Sequence, residues 1–195
     1  MSEVRVRPGF ADHLREAHET YRHLVEGIPA VLYVDANDEG STNIYTSPQV
    51  EPLLGFTIEQ WRAEPDLWAD RVHEHDRDRV LREHRESRRT GGPFTSEYRL
   101  QAADGREVWI RDEAVIIAEH GIPAFFRGYI IDITAQKNAE QALRQSEEQT
   151  RRIIDTASYA YIGMSREGLV TDWNQAAEQT FGWTRAEVVG MPLAN

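Results

Sequence analysis

Histidine and aspartate are the side chains of this sequence that could bind a metal ion, and they are densest between His73 and Asp76. His73, His75 and Asp76 are residue types that ligate zinc, yet all three lie within about one turn of the chain. This crowding suits hydrogen bonding at the start of a helix better than a tetrahedral site, and Asp76 is the predicted N-cap. We therefore predict no metal site.

A second group of candidate residues comprises Glu113, Glu119 and His120, which could in principle form an acid-base pair. These residues are spread over predicted strands and turns, where scattered charges are ordinary. The sequence also contains no glycine-rich phosphate loop, nucleophile motif or array of metal ligands. We expect this chain to have no catalytic activity of its own, whereas a full-length protein could carry a kinase or a cyclic-dinucleotide enzyme.

The composition excludes several further classes of function. The 195 residues contain no cysteine, so disulfides, thiolate metal sites and cysteine nucleophiles are absent together. A net charge of −11 opposes the phosphate backbone of nucleic acids, and the arginine-rich segment 77–89 is interleaved with acidic residues. No apolar run approaches the roughly 20 residues that span a bilayer. We expect a cytoplasmic chain with no nucleic-acid partner and no membrane contact.

Apolar residues recur with an alternating four-three spacing in two segments of the chain, a pattern typical of a helix with one apolar stripe. The first segment predicts an amphipathic helix over residues 1–28, with a seam of Phe10, Leu14, Ala17, Tyr21, Leu24 and Ile28. The same spacing returns 129 residues later and predicts a helical linker over 135–157, with a seam of Ala139, Leu143, Ser146, Thr150, Ile153 and Ala157. Two copies of one structural unit are therefore predicted.

The order of the remaining segments predicts an antiparallel sheet that is covered on one face by helices. Two strands come first and three come last, with short helical pieces and one longer helix between them. The predicted strands are Ala30–Asp35, Asn43–Ser47, Phe94–Gln101, Glu107–Ala118 and Ala124–Thr134. The longer helix is predicted over Asp76–Arg89, ended by Gly91 and Gly92.

This order and its local motifs resemble the PAS fold with its C-terminal PAC part. The most specific match is the run from Gly128 to Thr134, which is similar to the closing strand of many PAS domains. There, Asp132, Ile133 and Thr134 resemble the junction through which the domain passes into a signalling helix. In contrast, Glu74 and His75 stand where the family commonly has proline and aspartate, so the turn at that point is expected to differ.

The resemblance implies an α+β chain from a bacterial signal-transduction protein. A five-stranded antiparallel sheet with short helices on one face is expected, flanked by N-terminal and C-terminal signalling helices. The implied parts are the N-terminal helix 1–28, a complete PAS/PAC domain 29–134, the linker 135–157 and the start of a second PAS domain 158–195.

A PAS fold implies a pocket, and the sequence restricts what that pocket could hold. A LOV-type flavin is excluded because its photoadduct needs a cysteine. The axial histidine of some haem-binding relatives corresponds to Val80 here. His73 or His75 is the alternative haem ligand that the resemblance leaves open, with capping and surface hydrogen bonds as the preferred role of both, so haem is not expected and the cofactor is left unknown. Strand alternation and the family's middle helices give seven candidate lining residues: Leu53, Phe56, Trp61, Trp68, Phe126, Gly128 and Ile130. Either these residues enclose a small apolar or aromatic ligand, or they fill the core.

Trp109, Tyr129 and Ile131 are predicted to face outward from the sheet, where an exposed apolar patch would favour association. We expect this patch and the seam of the first helix to form a homodimer interface, with packing of that helix on its own sheet as the alternative. The leading functional hypothesis is a sensory and dimerisation module that regulates an effector located after residue 195. The alternative is a constitutive protein-interaction scaffold with a filled core and no ligand.

Overall fold

Most of the first predicted helix lies outside the part of the chain that the structure describes. A computed structural model of the chain describes residues 27–38, 41–119 and 122–193. Of the predicted seam, Ile28 falls within these ranges, and its side chain is exposed. The other seam residues lie outside the described residues, so the helix over 1–28 stays a prediction: Phe10, Leu14, Ala17, Tyr21 and Leu24.

Five strands form one antiparallel sheet, in the spatial order β2-β1-β5-β4-β3. Their bounds are β1 (Val31–Ala36), β2 (Asn43–Thr46), β3 (Phe94–Gln101), β4 (Glu107–Glu119) and β5 (Ile122–Asp132). The first and last strands of this set lie side by side, with Val31 opposite Ile130. This sheet confirms the predicted α+β class and its five antiparallel strands.

Four helices connect β2 to β3. Three are short, as the breaks predicted at Gly55 and Pro65 require: Gly55 ends the first helix in the left-handed conformation, and Pro65 lies between the second and the third. The break predicted at Pro52 is wrong, because this proline lies in the first turn of the first helix, where no backbone N–H is needed. The longest helix is amphipathic and packs against β3. The bounds are α1 (Val50–Leu54), α2 (Ile58–Ala63), α3 (Leu67–Arg71) and α4 (Glu74–Thr90).

The start of α4 differs from the sequence prediction. The N-cap is His73 rather than Asp76, and its Nδ1 atom accepts a hydrogen bond of 3.2 Å from the backbone N–H of His75. Asp76 lies in the first turn, where its carboxylate accepts a 2.9 Å hydrogen bond from the Nε of Arg99 on β3. The carboxylate is therefore used to attach the helix to the sheet instead of capping the helix.

The hydrophobic core lies between the inner face of the sheet and these helices. Strand alternation places every second residue of β3 and β4 inward, and the inward apolar residues are almost fully buried. The sheet and the helices contribute to one continuous cluster, whose fully buried members include Val31, Leu54, Val80, Phe94, Tyr98, Leu100, Ile110 and Phe126.

The chain divides into two compact units between Ala135 and Gln136. Helix α5 (Thr134–Thr156) begins at this boundary, close to the predicted linker 135–157, and all of its side chains are partly or fully exposed. The second unit continues with a hairpin of β6 (Ile162–Met164) and β7 (Val170–Trp173), followed by α6 (Gln175–Phe181) and α7 (Arg185–Val188). None of the described helices is both long enough and apolar enough to cross a membrane.

Asn174 organises the second unit. Its side chain is 1% exposed and makes four hydrogen bonds to the backbone. The Nδ2 group donates to the carbonyls of Ile154 and Tyr159 at 2.8 and 3.0 Å, and Oδ1 accepts from the N–H groups of Tyr161 and Ala177, both at 2.9 Å. One side chain thus joins the end of α5, the start of the hairpin and the cap of α6.

We expect Asn174→Ala to destabilise the second unit by about 2 kcal/mol, because buried backbone groups lose their partners. Amide hydrogen exchange of β6 and β7 should accelerate by more than tenfold, while the sheet of the first unit serves as an internal reference. Asn138→Ala, at an exposed position of α5, is the matched control. Equal exchange in the two variants would contradict the role assigned to Asn174.

Candidate functional site

A cavity of about 60 Å³ lies inside the first unit, between the inner face of the sheet and helices α2 to α4. The sheet contributes Val31, Tyr33, Asp35, Asn43, Thr46, Asp112 and Ile130 to its lining. The helices and loops contribute Ser41, Trp61, Glu64, Pro65, Trp68 and His84. The cavity wall therefore combines three aromatic rings with two aspartates and a histidine.

Asp112 is the most deeply buried charged group of the cavity. It lies on β4 between the inward residues Ile110 and Ala114, and its side chain is 2% exposed. Its Oδ1 accepts a 2.8 Å hydrogen bond from the hydroxyl of Tyr33 on β1, and its Oδ2 accepts one of 2.7 Å from the hydroxyl of Tyr98 on β3. One carboxyl thus joins three strands of the sheet.

The same network extends to the helices. The indole Nε1–H of Trp68 on α3 donates a 2.8 Å hydrogen bond to the hydroxyl of Tyr98. Burial, together with the Asp112 carboxylate, raises the pKa of Tyr98 and of Tyr33 well above the usual value. Both phenols therefore stay protonated near neutral pH and act as donors to Asp112.

Burial also raises the pKa of Asp112 to about 7, although the hydrogen bonds from Tyr98 and Tyr33 act in the opposite direction. An isolated carboxylate in an apolar interior is costly, and the two phenols offset part of that cost. As a result, the charge of Asp112 changes within the physiological pH range.

Asp35 forms the second acidic group of the cavity. Burial raises its pKa to about 6, while the hydrogen bond from Asn43 and the charge of Arg88 lower it. The Nδ2 of Asn43 donates to the Oδ1 of Asp35 at 2.8 Å and to the Oγ1 of Thr46 at 2.9 Å. The other amide atom of Asn43, Oδ1, is buried and accepts no hydrogen bond from the described residues.

His84 faces the cavity from α4, one helical turn after Val80. Its side chain is 9% exposed and packs among aromatic rings, with centroid distances of 4.9 Å to Trp68, 5.5 Å to Phe94 and 4.9 Å to Phe126. No hydrogen bond reaches either ring nitrogen from the part of the chain that the structure describes. Burial lowers the pKa of His84 to about 4, with a smaller effect from Arg88, so the ring is neutral at pH 7.

Three of the seven predicted lining residues, Trp61, Trp68 and Ile130, line this cavity. Phe56 and Phe126 are buried in the adjoining core, and Leu53 packs against it. Gly128 lies beneath Tyr33, where a Cβ atom would be 2.5 Å from the Tyr33 hydroxyl. The small residue at position 128 therefore makes room for the ring that binds Asp112, while Gly128 itself stays outside the cavity wall.

The lining predicted from the sequence did not include these polar residues of the cavity: Tyr33, Asp35, Asn43, His84 and Asp112. Tyr98, which lies outside the lining but binds Asp112, was not predicted either. A signal for Asp112 was present, because the alternation of Val108, Ile110, Asp112 and Ala114 along β4 places an acidic residue on the inner face.

The outward residues of the sheet lie where alternation predicts. Trp109 and Ile131 are half-buried and Tyr129 is exposed. The guanidinium of Arg99 lies 5.2 Å from the ring centroid of Trp109, and the hydroxyl of Tyr129 donates to a carboxylate oxygen of Glu113 at 2.6 Å. Their role in a dimer interface stays a prediction.

The junction before α5 is attached to β4. The carbonyl of Trp109 accepts a 2.9 Å hydrogen bond from the N–H of Ile133, and the Trp109 N–H donates to the hydroxyl of Thr134 at 3.0 Å. Asp132 accepts a 2.7 Å hydrogen bond from the N–H of Thr134. The strand that carries Asp112 on its inner face therefore holds the start of α5 through Trp109, three residues away.

Comparison with known proteins assigns the fold to a family. A PAS-fold family model matches residues 43–130, and a second one matches residues 148–195. The crystal structure of a sensory box histidine kinase/response regulator from Burkholderia thailandensis superposes with a TM-score of 0.54 at 28% identity, covering 68% of this chain and 98% of that one. The chain belongs to the PAS family, whose domains are sensory and non-catalytic.

Two curated relatives extend this assignment. Sensor protein FixL of Bradyrhizobium diazoefficiens is 32% identical over 145 residues, which are 74% of this chain and 28% of that protein. Two-component sensor PprA of Pseudomonas aeruginosa is 27% identical over 186 residues, which are 93% of this chain and 20% of that protein. The chain thus spans less than a third of the length of either relative.

We expect Asp112 to make folding stability depend on pH. Its pKa of about 7 in the folded chain exceeds the value of about 3.9 for an unfolded aspartate. Between these values the folded state holds a proton that the unfolded state has lost, so the contribution of Asp112 is complete below about pH 4 and is lost as the pH rises to about 7. Asp35 acts in the same direction, and His84, with a lowered pKa, acts in the opposite one.

The Asp112→Asn variant isolates this contribution. The stability of the variant relative to the unaltered chain should rise with pH by up to about 1.4 kcal/mol per pH unit between about pH 4 and pH 7. Urea denaturation at half-unit pH steps would measure it, with the exposed Asp70→Asn as the control. Parallel profiles for Asp112→Asn and the unaltered chain would contradict the assigned pKa.

Proposed function

We propose that the chain is a sensory and dimerisation module that regulates an effector domain through α5. The observation that carries this proposal is the continuity of β4, which presents Asp112 to a cavity and holds the start of α5 through Trp109. A ligand that bound one arrangement of the cavity more tightly would shift the population of that arrangement. The shift would reach α5 through the hydrogen bonds of Trp109 with Ile133 and Thr134.

The effector in this proposal lies outside the present sequence. Two of the relatives bear the names of sensors, and the structure from Burkholderia thailandensis bears that of a histidine kinase/response regulator. These names support a kinase as the regulated domain, and a match of 28% identity over 128 residues to the Probable diguanylate cyclase DgcE of Escherichia coli supports a cyclic-dinucleotide enzyme as the alternative. The proposal places the module in the cytoplasm.

A second candidate function is a constitutive interaction scaffold with no ligand. The small size of the cavity favours it, because ligand pockets commonly exceed about 300 Å³. Against it stands the polarity of the cavity wall, since a core that only had to be filled would be more stable with apolar residues in place of Asp112 and His84.

The apolar seam of α5 supports the dimerisation part of the proposal. Leu143 and Ile153 occupy seam positions, and the side chain of each is 62% exposed. Apolar side chains repeated at this spacing on an exposed helix are typical of a two-helix coiled coil. Within the first unit, the outward patch of Trp109, Tyr129 and Ile131 is proposed as a separate point of contact with a second copy.

We expect the chain to sediment as a homodimer at concentrations well above micromolar. The pair Leu143→Glu and Ile153→Glu should weaken association by more than tenfold, because it would bury unpaired charges. The control pair is Gln141→Glu and Gln145→Glu, at exposed positions away from the seam. It adds the same charge and should leave association unchanged. If the unaltered chain sediments as a monomer, or if the two double variants associate equally strongly, the seam is not the dimer interface.

The signalling role of α5 can be tested by insertion near Gln145 in a full-length protein. Four residues rotate everything downstream by about 40°, whereas seven restore the phase to within about 20°. We expect the four-residue insertion to lock or abolish effector output and the seven-residue insertion to preserve regulation. Equal output from the two would favour a flexible tether and would contradict transmission through α5.

A further inference from the structure

Several hydrogen-bond acceptors of the cavity in the first unit have no donor among the described residues. Oδ1 of Asn43 is buried without a donor, and Oδ2 of Asp35 receives no hydrogen bond from the described residues. The neutral ring of His84, which has one acceptor nitrogen and one N–H donor, lines the cavity with neither nitrogen bonded to the described residues. Each oxygen of Asp112 accepts one hydrogen bond and keeps a second lone pair. Buried polar groups in native proteins are nearly always paired, so an occupant that donates hydrogen bonds to Asn43 and Asp35 would complete this cavity.

The charge of the cavity also restricts the kind of occupant. Asp35 and Asp112 both line it, Glu64 lies in the exposed part of its wall, and no lysine or arginine of the described residues lines it. Arg88, whose charge acts on Asp35 and His84, donates to the carbonyl of Ala36 and to the side chains of Asn37 and Ser41. Its charge lowers the pKa of Asp35 without an ion pair between the two. The interior therefore favours a positively charged occupant, since a buried carboxylate is costly without a partner.

Aromatic rings form much of the remaining wall. Trp61, Trp68 and Tyr33 all line the cavity, and the face of an indole or phenol ring attracts a cation. The volume of about 60 Å³ is roughly twice the share of one water molecule in the liquid, ~30 Å³. Without movement of the walls, the cavity admits an occupant of a few non-hydrogen atoms.

We propose that this cavity binds a small organic cation with several N–H groups, of the alkylammonium or amidinium class. The inference rests on the proposed sensory role of the first unit and specifies the ligand to which it responds. It also replaces the apolar or aromatic ligand expected from the sequence, because that expectation did not include Asp35, Asn43, His84 or Asp112. The ammonium group is placed between the acidic side chains, and its alkyl part lies against the tryptophans.

A bare divalent metal ion fits the cavity less well. No three histidine, aspartate or glutamate side chains within the described ranges are grouped as metal ligands are. Both oxygens of Asp112 are already engaged by phenols, which an organic donor tolerates better than a metal ion that requires short bonds to oxygen.

The experiment titrates the purified 195-residue chain with ethylammonium chloride at pH 8, where both aspartates are ionised because their pKa values are about 7 and about 6. Ionic strength is held constant with sodium chloride. The reporter is the indole N–H resonance of Trp68, whose donor group is bonded to Tyr98 at the cavity wall. The expected result is a saturable shift with a dissociation constant of about 1 mM or weaker, since so small a ligand gains limited free energy per atom.

Matched ligands and variants test whether the charge, the N–H groups and Asp35 each contribute to binding. Tetramethylammonium has the same charge but no N–H group, and acetamide has N–H groups but no charge; each should bind at least tenfold more weakly. Asp35→Asn should weaken ethylammonium binding about tenfold, and Asp70→Asn, at an exposed position of α3, should leave it unchanged. The comparison among ligands requires no variant and holds even if a cavity variant fails to fold.

Three outcomes would overturn the inference. Equal binding of acetamide would make the cavity a site for neutral molecules, and preferential binding of magnesium or zinc chloride would make it a metal site. No saturable shift with any of these ligands at pH 8 would mean that the ionised aspartates are satisfied by water and by the hydrogen bonds that they already accept. None of these outcomes decides the sensory role itself, which the four- and seven-residue insertions in α5 test independently of the ligand.

Discussion

The burial of one carboxyl group, that of Asp112, is the constraint on which the first unit depends. A carboxylate inside a protein needs hydrogen bonds, and here they come from Tyr33 and Tyr98, which lie on strands separated from Asp112 by 79 and 14 residues along the chain. Trp68 adds a helix to the same network by donating to Tyr98. The glycine at position 128 is part of this arrangement, because a side chain there would displace Tyr33. The network thus fixes how β1, β3, β4 and α3 meet.

Strand β4 contributes a side chain to the cavity and backbone hydrogen bonds to the start of α5. Asp112 points inward from β4, while the backbone of Trp109 pairs with Ile133 and Thr134 at the start of α5. Adjacent strands in a sheet move together because their backbone hydrogen bonds are continuous. In the proposed function, a change in the occupancy or charge of the cavity would reach α5 through β4 itself, without a separate chain of contacting side chains.

The polar cavity is a cost in stability that a filled apolar core would avoid. Burial raises the pKa of Asp112 and Asp35 and lowers that of His84, which means that each group would be solvated more favourably in water than in the folded chain. Proteins keep such groups where they serve recognition more often than where they only fill space. A sensory role is therefore favoured over a scaffold. The hydrogen-bond acceptors of the cavity say more about its ligand than its apolar wall does.

Local patterns in the sequence were sufficient to predict the order of the strands along the chain, the helix α5 and the outward placement of Trp109 and Tyr129. They were sufficient because periodicity and turn residues act over a few positions. It was insufficient for the cap of α4, where Asp76 pairs with Arg99 on a distant strand and leaves His73 at the N-cap. Nor could it locate the cavity, whose polar groups come from β1, β2, α4 and β4 and meet only when the sheet closes over the helices. The sequence by itself determined the elements and their faces; the tertiary structure alone decided which polar side chains share one interior, since burial and pairing are properties of the packed chain.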